Sequence, residues 1–452
     1  MEDLWLSFTK SALKIEQQEL QDEGAELPQD LASELDELFN SEDGDSDEFH
    51  RRVRRFLEKS SHLATKKNFP YVEPSDLPSI QSLRPPDALN DLEIELPDEA
   101  VLDRIYGAWL GRCSGCLLGK PIEGLSVSDI WPFLQQTDQY PLVNYLGSNH
   151  KQAFADKFTY EGERGYIDEI DHMVEDDDLN YTVLSLAVMS QHGWDFRPDD
   201  MANFWLGNLP VHRTFSAERI AYRNFLLQRS PPESASYCNP YREWIGAQIR
   251  GDFWGYLCPG RPAQAAALAW RDACLSHVKN GIYGEMWTAA MCSAAAVLQT
   301  PQQVLEIGLS QIPERSRLSH HVRQVIDWFD SGKGVEEAVT LIHQQWDDTN
   351  PHHWCHVLSN AQIVTLGLLW GAGDFERSIS WAVTAGFDTD CNGATVGSIL
   401  GMILGAKNLP GKWIDVLNNQ LDTGIFGYQH VLISDLARST LDLAHTGDFN
   451  RR

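Results

Sequence analysis

The stretch DTDCNGATVGSILGMILGA, residues 388–406, places two carboxylates directly before an apolar segment of helix length. Gly393, Gly397, Gly401 and Gly405 recur in it every fourth residue, so a helix here gathers four glycines on one face. Each glycine weakens a helix interior by roughly 1 kcal/mol relative to alanine. A segment that gives up so much propensity must be buried, with another helix or backbone pressed against the glycine face. The acids at its start are then held at a core-facing rim. In extended chain, residues i and i+2 point the same way, so Asp388 and Asp390 converge while Thr389 turns aside.

A second acidic knot lies far upstream, where Asp176-Asp177-Asp178 opens the run LNYTVLSLAVMS. A helix start favours negative charge through its free N–H groups and macrodipole, by under about 1 kcal/mol per charge. That is too little to explain three consecutive carboxylates, since an N-cap needs only one or two of them. Grouped carboxylates repel one another unless a hard divalent cation sits among them. The two knots together point to one carboxylate-lined Mg2+ or Mn2+ site. A further acid, Glu123, follows the Gly-Lys-Pro turn near the end of GAWLGRCSGCLLGKPIEG, residues 107–124. Read alone it is a surface glutamate; beside a metal site it is a candidate catalytic or metal-linked group.

The rest of the 452-residue chain bounds this reading. From Asp98 onward DEAVLDRIYGAWLGRCSGCLLG, AQAAALAWRDACLSHV, EMWTAAMCSAAAVLQ, VLSNAQIVTLGLLWGA and FERSISWAVTAG are Ala- or Leu-rich and of helix length. Strictly alternating β-branched runs are scarce. The expectation is an all-α, compact many-helix domain over residues 98–452. Residues 1–97 read as an acidic, helical N-terminal extension ending in a Pro-rich connection from Asn68 to Pro97. The first 50 residues carry 16 acidic and 2 basic side chains, about half of the net charge of −29. SEDGDSDE reads as a solvated linker, and RRVRRFLEKS after it either folds back on the acidic stretch or stands as an exposed helix.

So acidic a balance argues against nucleic acid and against an anionic membrane as partners. MEDLWLSFTK lacks the basic and apolar parts of a signal peptide, and no apolar run is long enough to span a bilayer. Eight scattered cysteines suit a reducing, cytoplasmic setting, and the lone pair Cys113 and Cys116 is a weak metal signal. A zinc reading of His352, His353 and His356 is equally weak. His356 and Asn360 stand one helical turn apart, which suits a pocket wall or a cap. Trp254 and Tyr256 offer faces for a nucleobase, with burial in the core the stronger expectation.

The blocks GAWLGRCSGCLLGKPIEG, EDDDLNYTVLSLAV and GFDTDCNGATVGSILGMILGA resemble, in order and spacing, the signature blocks of the ADP-ribosylglycohydrolase family. The resemblance covers roughly residues 100–445 and extends to GAQIR, residues 246–250, similar to the family's substrate loop, and to DACLSH, residues 272–277. It implies an all-α fold and a dinuclear site holding two Mg2+ or Mn2+ ions. The ligands it implies are Asp176, Asp177 and Asp178 on one side and Asp388 and Asp390 on the other, with Cys391 where the family has a threonine. It further implies a catalytic role for Glu123, with Asp178 second, and substrate contacts for Gly246, Arg250 and His277. Asn360 joins these as a pocket-wall candidate.

This chain departs from the family in having Asp176 where a Thr precedes the Asp-Asp pair and Cys116 where an Asp is usual. A thiol at position 391 is a poor partner for a hard ion. These departures mark a divergent subgroup. The expected activity is metal-dependent cleavage of a ribosyl C1′ bond, by a water oriented at the dinuclear site, in an ADP-ribosyl or other ribosyl small molecule or modified protein. The alternatives are a non-catalytic ADP-ribose or nucleotide-binding module and a dinuclear-metal phosphoesterase.

Overall fold

The computed structural model describes residues 8–42, 46–93, 96–153, 157 and 164–447. The readings of MEDLWLS as non-signal sequence and of residues 43–45 as linker fall outside the described residues. Helices dominate, as the sequence leads one to expect. Among the described residues the only sheet is a small antiparallel pair, Gln420–Asp422 with His430–Leu432. No described helix is long and apolar enough to cross a membrane.

The centre of the fold is a seam between two glycine-striped helices. Helix Asp98–Gly119 starts behind Pro97 with Asp98 and Glu99 in its first turn, and covers the stretch read as helical residue for residue. Helix Thr389–Leu404 runs antiparallel to it, with Gly107, Gly111 and Gly115 facing Gly401, Gly397 and Gly393 in register. A Cβ on any of these six would come closer than 3.0 Å to the facing backbone, so only glycine permits this approach. Of the four glycines read from residues 388–406, Gly405 lies past the helix end with φ of 76° and serves as its C-cap. Helices Lys279–Ala295, Val357–Gly371 and Phe375–Thr384 pack against the second striped helix, and Ile433–Thr446 packs against the first. Surrounded in this way, both seam helices are buried over their facing lengths.

The N-terminal residues are docked rather than tethered. Helices Gln29–Asn40 and Asp47–Ser60 share a small core that includes Leu31, Leu35, Val53 and Phe56, closed by Cys238 from the main body. The basic run folds back on the acidic helix through Arg52–Glu37 at 3.2 Å and Lys59–Glu34 at 2.6 Å. Both pairs are solvent-exposed and contribute little to stability. The firm attachment is elsewhere. Helix Lys10–Asp22 turns Glu16 onto buried Arg242 at 2.6 Å, and Glu23 just beyond it reaches the same guanidinium at 2.9 Å. In the Pro-rich connection Glu73 pairs with buried Arg317 at 2.8 Å, and Tyr283 Oη donates to the Pro74 carbonyl.

The seam makes a sharp stability test. Gly397→Ala forces a methyl into the Gly111 carbonyl and is expected to destabilise the fold by about 1–3 kcal/mol in urea unfolding. Gly207→Ala, in helix Pro198–Asn208 with open space around it, is expected to be neutral or slightly stabilising. Equal effects of the two would show that the seam is not close-packed.

Candidate active site

The seam brings two helix ends to one place. Helix Asp98–Gly119 runs into the 3-10 turn Lys120–Ile122, which delivers Lys120 and then Glu123. Helix Thr389–Leu404 begins against it, and the Thr389 hydroxyl donates to the Gly119 carbonyl at 2.9 Å. Asp388 stands at the N-cap position of that helix without a side-chain capping bond; its backbone N–H donates to Asn360 Oδ1 at 3.2 Å, and Asn392 Nδ2 donates to the same oxygen at 2.8 Å. Asn360 itself donates to the carbonyls of Trp354 and His356. It therefore braces the Asp388 knot from beneath. The third element is helix Asp177–His192, where Asp176 is the N-cap and its Oδ1 accepts from the Asp178 N–H at 3.0 Å. Gly193, with φ of 70°, ends that helix.

Two buried cations meet these acids. Arg112 Nη2 pairs with Asp178 Oδ1 at 3.0 Å, and its Nη1 with Asp252 at 2.9 Å. Lys120 Nζ stands 2.5 Å from Asp176 Oδ2. The ion pair with Lys120 overcomes burial and holds Asp176 below the usual carboxylate range. Elsewhere burial dominates. Burial and the Asp390 charge push Glu123 up to about 8, and burial and the Asp176 charge push Asp390 up to about 7. Asp177, Asp178 and Asp388 are driven well above their ordinary range by burial, with neighbouring carboxylates adding to it. Cys116 and Cys391 are buried thiols pushed up by the same two causes, so they stay protonated.

The residues fit a hard divalent cation. Asp178 Oδ2, Asp388 Oδ1 and Asp390 Oδ1 are buried and accept no hydrogen bond from any protein group. Ligand atoms of Cys116, Asp176, Asp178 and Asp390 lie within 4.8 Å of one another, as do those of Asp388, Asp390 and Cys391. Unsatisfied buried oxygens in such a group are what Mg2+ or Mn2+ takes.

These acids open into a cavity of about 470 Å3. Asp176, Asp177, Asp388, Asp390, Cys391, Glu123 and Gly246 all line it, joined by Lys120 and Glu218. Phe215, Trp244 and Trp354 supply apolar wall, Lys157, Arg164 and Arg213 add positive charge, and His212 completes that side. Other expected residues stand behind the wall. Asp178 is enclosed against Arg112. Arg250 is fully buried, with Nε 2.9 Å from Asp272 and Nη1 2.6 Å from Glu218 and 3.3 Å from the Gly246 carbonyl, so it touches the cavity only from behind these two lining residues. His277 is buried, its Nδ1 2.8 Å from Ser276 Oγ. The family resemblance implied substrate contacts for these two. Burial leaves the Arg250 guanidinium to three acids and keeps it from the cavity surface.

Sequence reading overlooked Lys120, Arg112, Glu218 and the nearness of Cys116 to the carboxylates. Lys120 was in plain view in the Gly-Lys-Pro turn, but its partner is 56 positions away. The histidines resolve by tautomer. The Trp244 indole N–H donates to His352 Nδ1 and the Leu358 N–H to His356 Nδ1, which leaves the proton on each Nε2 and speaks against zinc. His356 is a helix cap. Trp254 stacks on Phe196 and Tyr256 packs on Trp109, both fully buried in the core.

The family model for ADP-ribosylglycohydrolase matches residues 97–447. The chain belongs to the ADP-ribosylglycohydrolase family, and with it to the glycohydrolases. A solved structure described as an ADP-ribosylglycohydrolase-related protein complex is similar at 17% identity and a TM-score of 0.46, over 77% of this chain and 99% of that one. No curated protein matches. The family match begins at Pro97, so the docked N-terminal residues lie outside it.

Raised carboxyl pKa values carry a sign. Glu123 and Asp390 hold protons in the folded chain up to about 8 and about 7, whereas the ordinary values are 4.5 and 3.8. The folded state therefore binds more protons across that window, and these groups lower stability as pH rises through it. Thermal unfolding of metal-stripped protein is expected to show a lower Tm at pH 8 than at pH 5.5. Mg2+ or Mn2+ is expected to restore much of the difference. A Tm indifferent to both pH and metal would contradict the electrostatics described here.

Proposed function

We propose that this cavity holds the ribosyl group of an ADP-ribosyl or related ribosyl substrate and that the protein hydrolyses the bond at C1′. The observation carrying this reading is the convergence of Glu123 and both aspartate knots on one cavity that also has apolar and cationic wall. A divalent cation held by Asp388 and Asp390 beside the Asp176–Asp178 knot, Mg2+ or Mn2+, would supply positive charge for ribose hydroxyls and make water more acidic.

The chain's own residues do the rest. Glu123 keeps its proton near neutral pH, as an acid serving a leaving group requires, and as a carboxylate it can then accept a proton from water. Aspartates of the two knots that are ionised, Asp176 among them through its pair with Lys120, would favour the oxocarbenium character that develops at C1′. Asp178, enclosed behind the wall, orients the knot through Arg112 rather than meeting the sugar. Lys157, Arg164 and Arg213 suit phosphate oxygens, and Phe215 and Trp244 suit an apolar or aromatic group. Gly246 keeps the wall open beside Glu218, whose carboxylate a Cβ there would strike. The eight cysteines are unpaired and buried, which suits a reducing compartment such as the cytoplasm.

The test is incubation of the protein with arginine- and serine-linked ADP-ribosylated protein and with simple ribosides, with and without Mg2+ or Mn2+. Metal-dependent release of ADP-ribose or ribose, lost in Asp388→Asn, is the expected result. Tight ADP-ribose binding without turnover would make it a binding module, and release of phosphate or nucleoside monophosphate a phosphoesterase. Glu123→Gln is expected to lower kcat by about 10²–10⁴-fold while ADP-ribose binding, read by calorimetry, persists. An unchanged kcat would remove Glu123 from the chemistry.

A further inference from the structure

Asp176 adds a carboxylate where the other two residues of its knot already crowd, and Lys120 answers it. The Lys120 side chain is 12% exposed and its Nζ is 2.5 Å from Asp176 Oδ2. It enters from the end of the first seam helix, and its charge acts on Cys116, Glu123 and Asp390 as well as on Asp176. An ammonium is thus fixed beside the group formed by Cys116, Asp176, Asp178 and Asp390. A divalent ion on that side would face a full positive charge at a separation of a few ångströms and would have to share Asp176 with it.

The Lys120 side also holds a donorless oxygen, Asp178 Oδ2, but its carboxylates are paired with Arg112 and Lys120, whereas Asp388 and Asp390 form no salt bridge among the described residues. Asp388 Oδ1 and Asp390 Oδ1 are buried and accept no hydrogen bond, and the ligand atoms of Asp388, Asp390 and Cys391 form a second compact group. These oxygens have no lysine bonded to them. Resting on the metal-centre reading above, we propose that Lys120 is a built-in cation replacing one of two divalent ions, so that the centre takes a single ion on the Asp388–Asp390 side. Asp176 then acts as counter-ion to Lys120 and positions it, and is not a metal ligand.

The same arrangement explains why the additional aspartate and the lysine are both tolerated in a buried place. Each neutralises the other, and an unpaired member would be left as an isolated buried charge. It also makes this centre differ from a two-ion site in what it offers a substrate. One positive charge comes as a coordinating ion and the other as a hydrogen-bond donor with a fixed address, so the ribosyl group meets one exchangeable site and one permanent one.

Metal-stripped full-length protein is loaded with Mn2+, desalted, and its bound metal counted by elemental analysis alongside electron paramagnetic resonance. One Mn2+ per chain with an uncoupled spectrum is expected for the native protein and for Lys120→Arg, which keeps the charge. Lys120→Met, similar in size without the charge, is expected to bind two and to show exchange coupling between them. Two coupled ions in the native protein would overturn the inference while leaving the metal centre intact. So would one ion in Lys120→Met if that variant keeps the native circular dichroism. No ion in the native protein would defeat the metal-centre reading and this inference together. The native count decides the matter even if a variant fails to fold.

Discussion

Backbone-to-backbone contact between two helices is the constraint from which the site follows. Gly107, Gly111 and Gly115 lie against Gly401, Gly397 and Gly393, with no side chain between them. Antiparallel packing at that distance fixes both rotation and register, because each glycine has only one facing carbonyl to settle against. It brings the C-terminal end of one helix to the N-terminal start of the other, and the Thr389 hydroxyl closes the junction on the Gly119 carbonyl. Lys120 and Glu123 on one chain segment thereby meet Asp388 and Asp390 on another. A larger residue anywhere along the seam would move the acids relative to one another before it touched any of them.

Onto that frame the chain loads more negative charge than burial favours. Arg112 neutralises part of it through Asp178 and Asp252, and Lys120 neutralises Asp176. What is left, chiefly Glu123, Asp177, Asp388 and Asp390, is held protonated or poised to be so by desolvation and mutual repulsion. Such an arrangement is unfavourable for stability by itself, and it is where acid–base and cation chemistry become possible. The N-terminal residues repeat the theme of buried charge answered by buried charge. Arg242 and Arg317 gather buried glutamates from the extension and lock it to the body. Trp244 links the two regions, lining the cavity while its indole N–H donates to His352, which in turn contacts Asp22 of the N-terminal helix.

Much of this was legible in the residues. The span Asp98–Gly119 was readable from its acidic start and apolar spacing, and the two knots announced themselves as too much charge for a helix start. Glu123 was readable as an acid following a Gly-Lys-Pro turn. The matching glycines at 107, 111 and 115 had the same period in the same sequence, yet a stripe on one helix names no partner. Arg250 and His277 show where a motif stops being informative. Their positions within short motifs suggested contact with a ligand, but a motif does not say which way a side chain faces, and both turn into the protein.

The sequence by itself determined what depends on neighbours along the chain: helical segments, their N-cap positions at Asp176 and Asp388, the glycine period, and the density of acid at two helix starts. These follow from local backbone geometry and from the spacing of residue types. Only the tertiary structure decided which acids would be paired by Lys120 and Arg112, which carboxylate oxygens would be left without a donor, and which side chains would reach the cavity. Burial and the distance to an opposite charge set those outcomes, and both arise from contacts between segments that the order of residues does not place together.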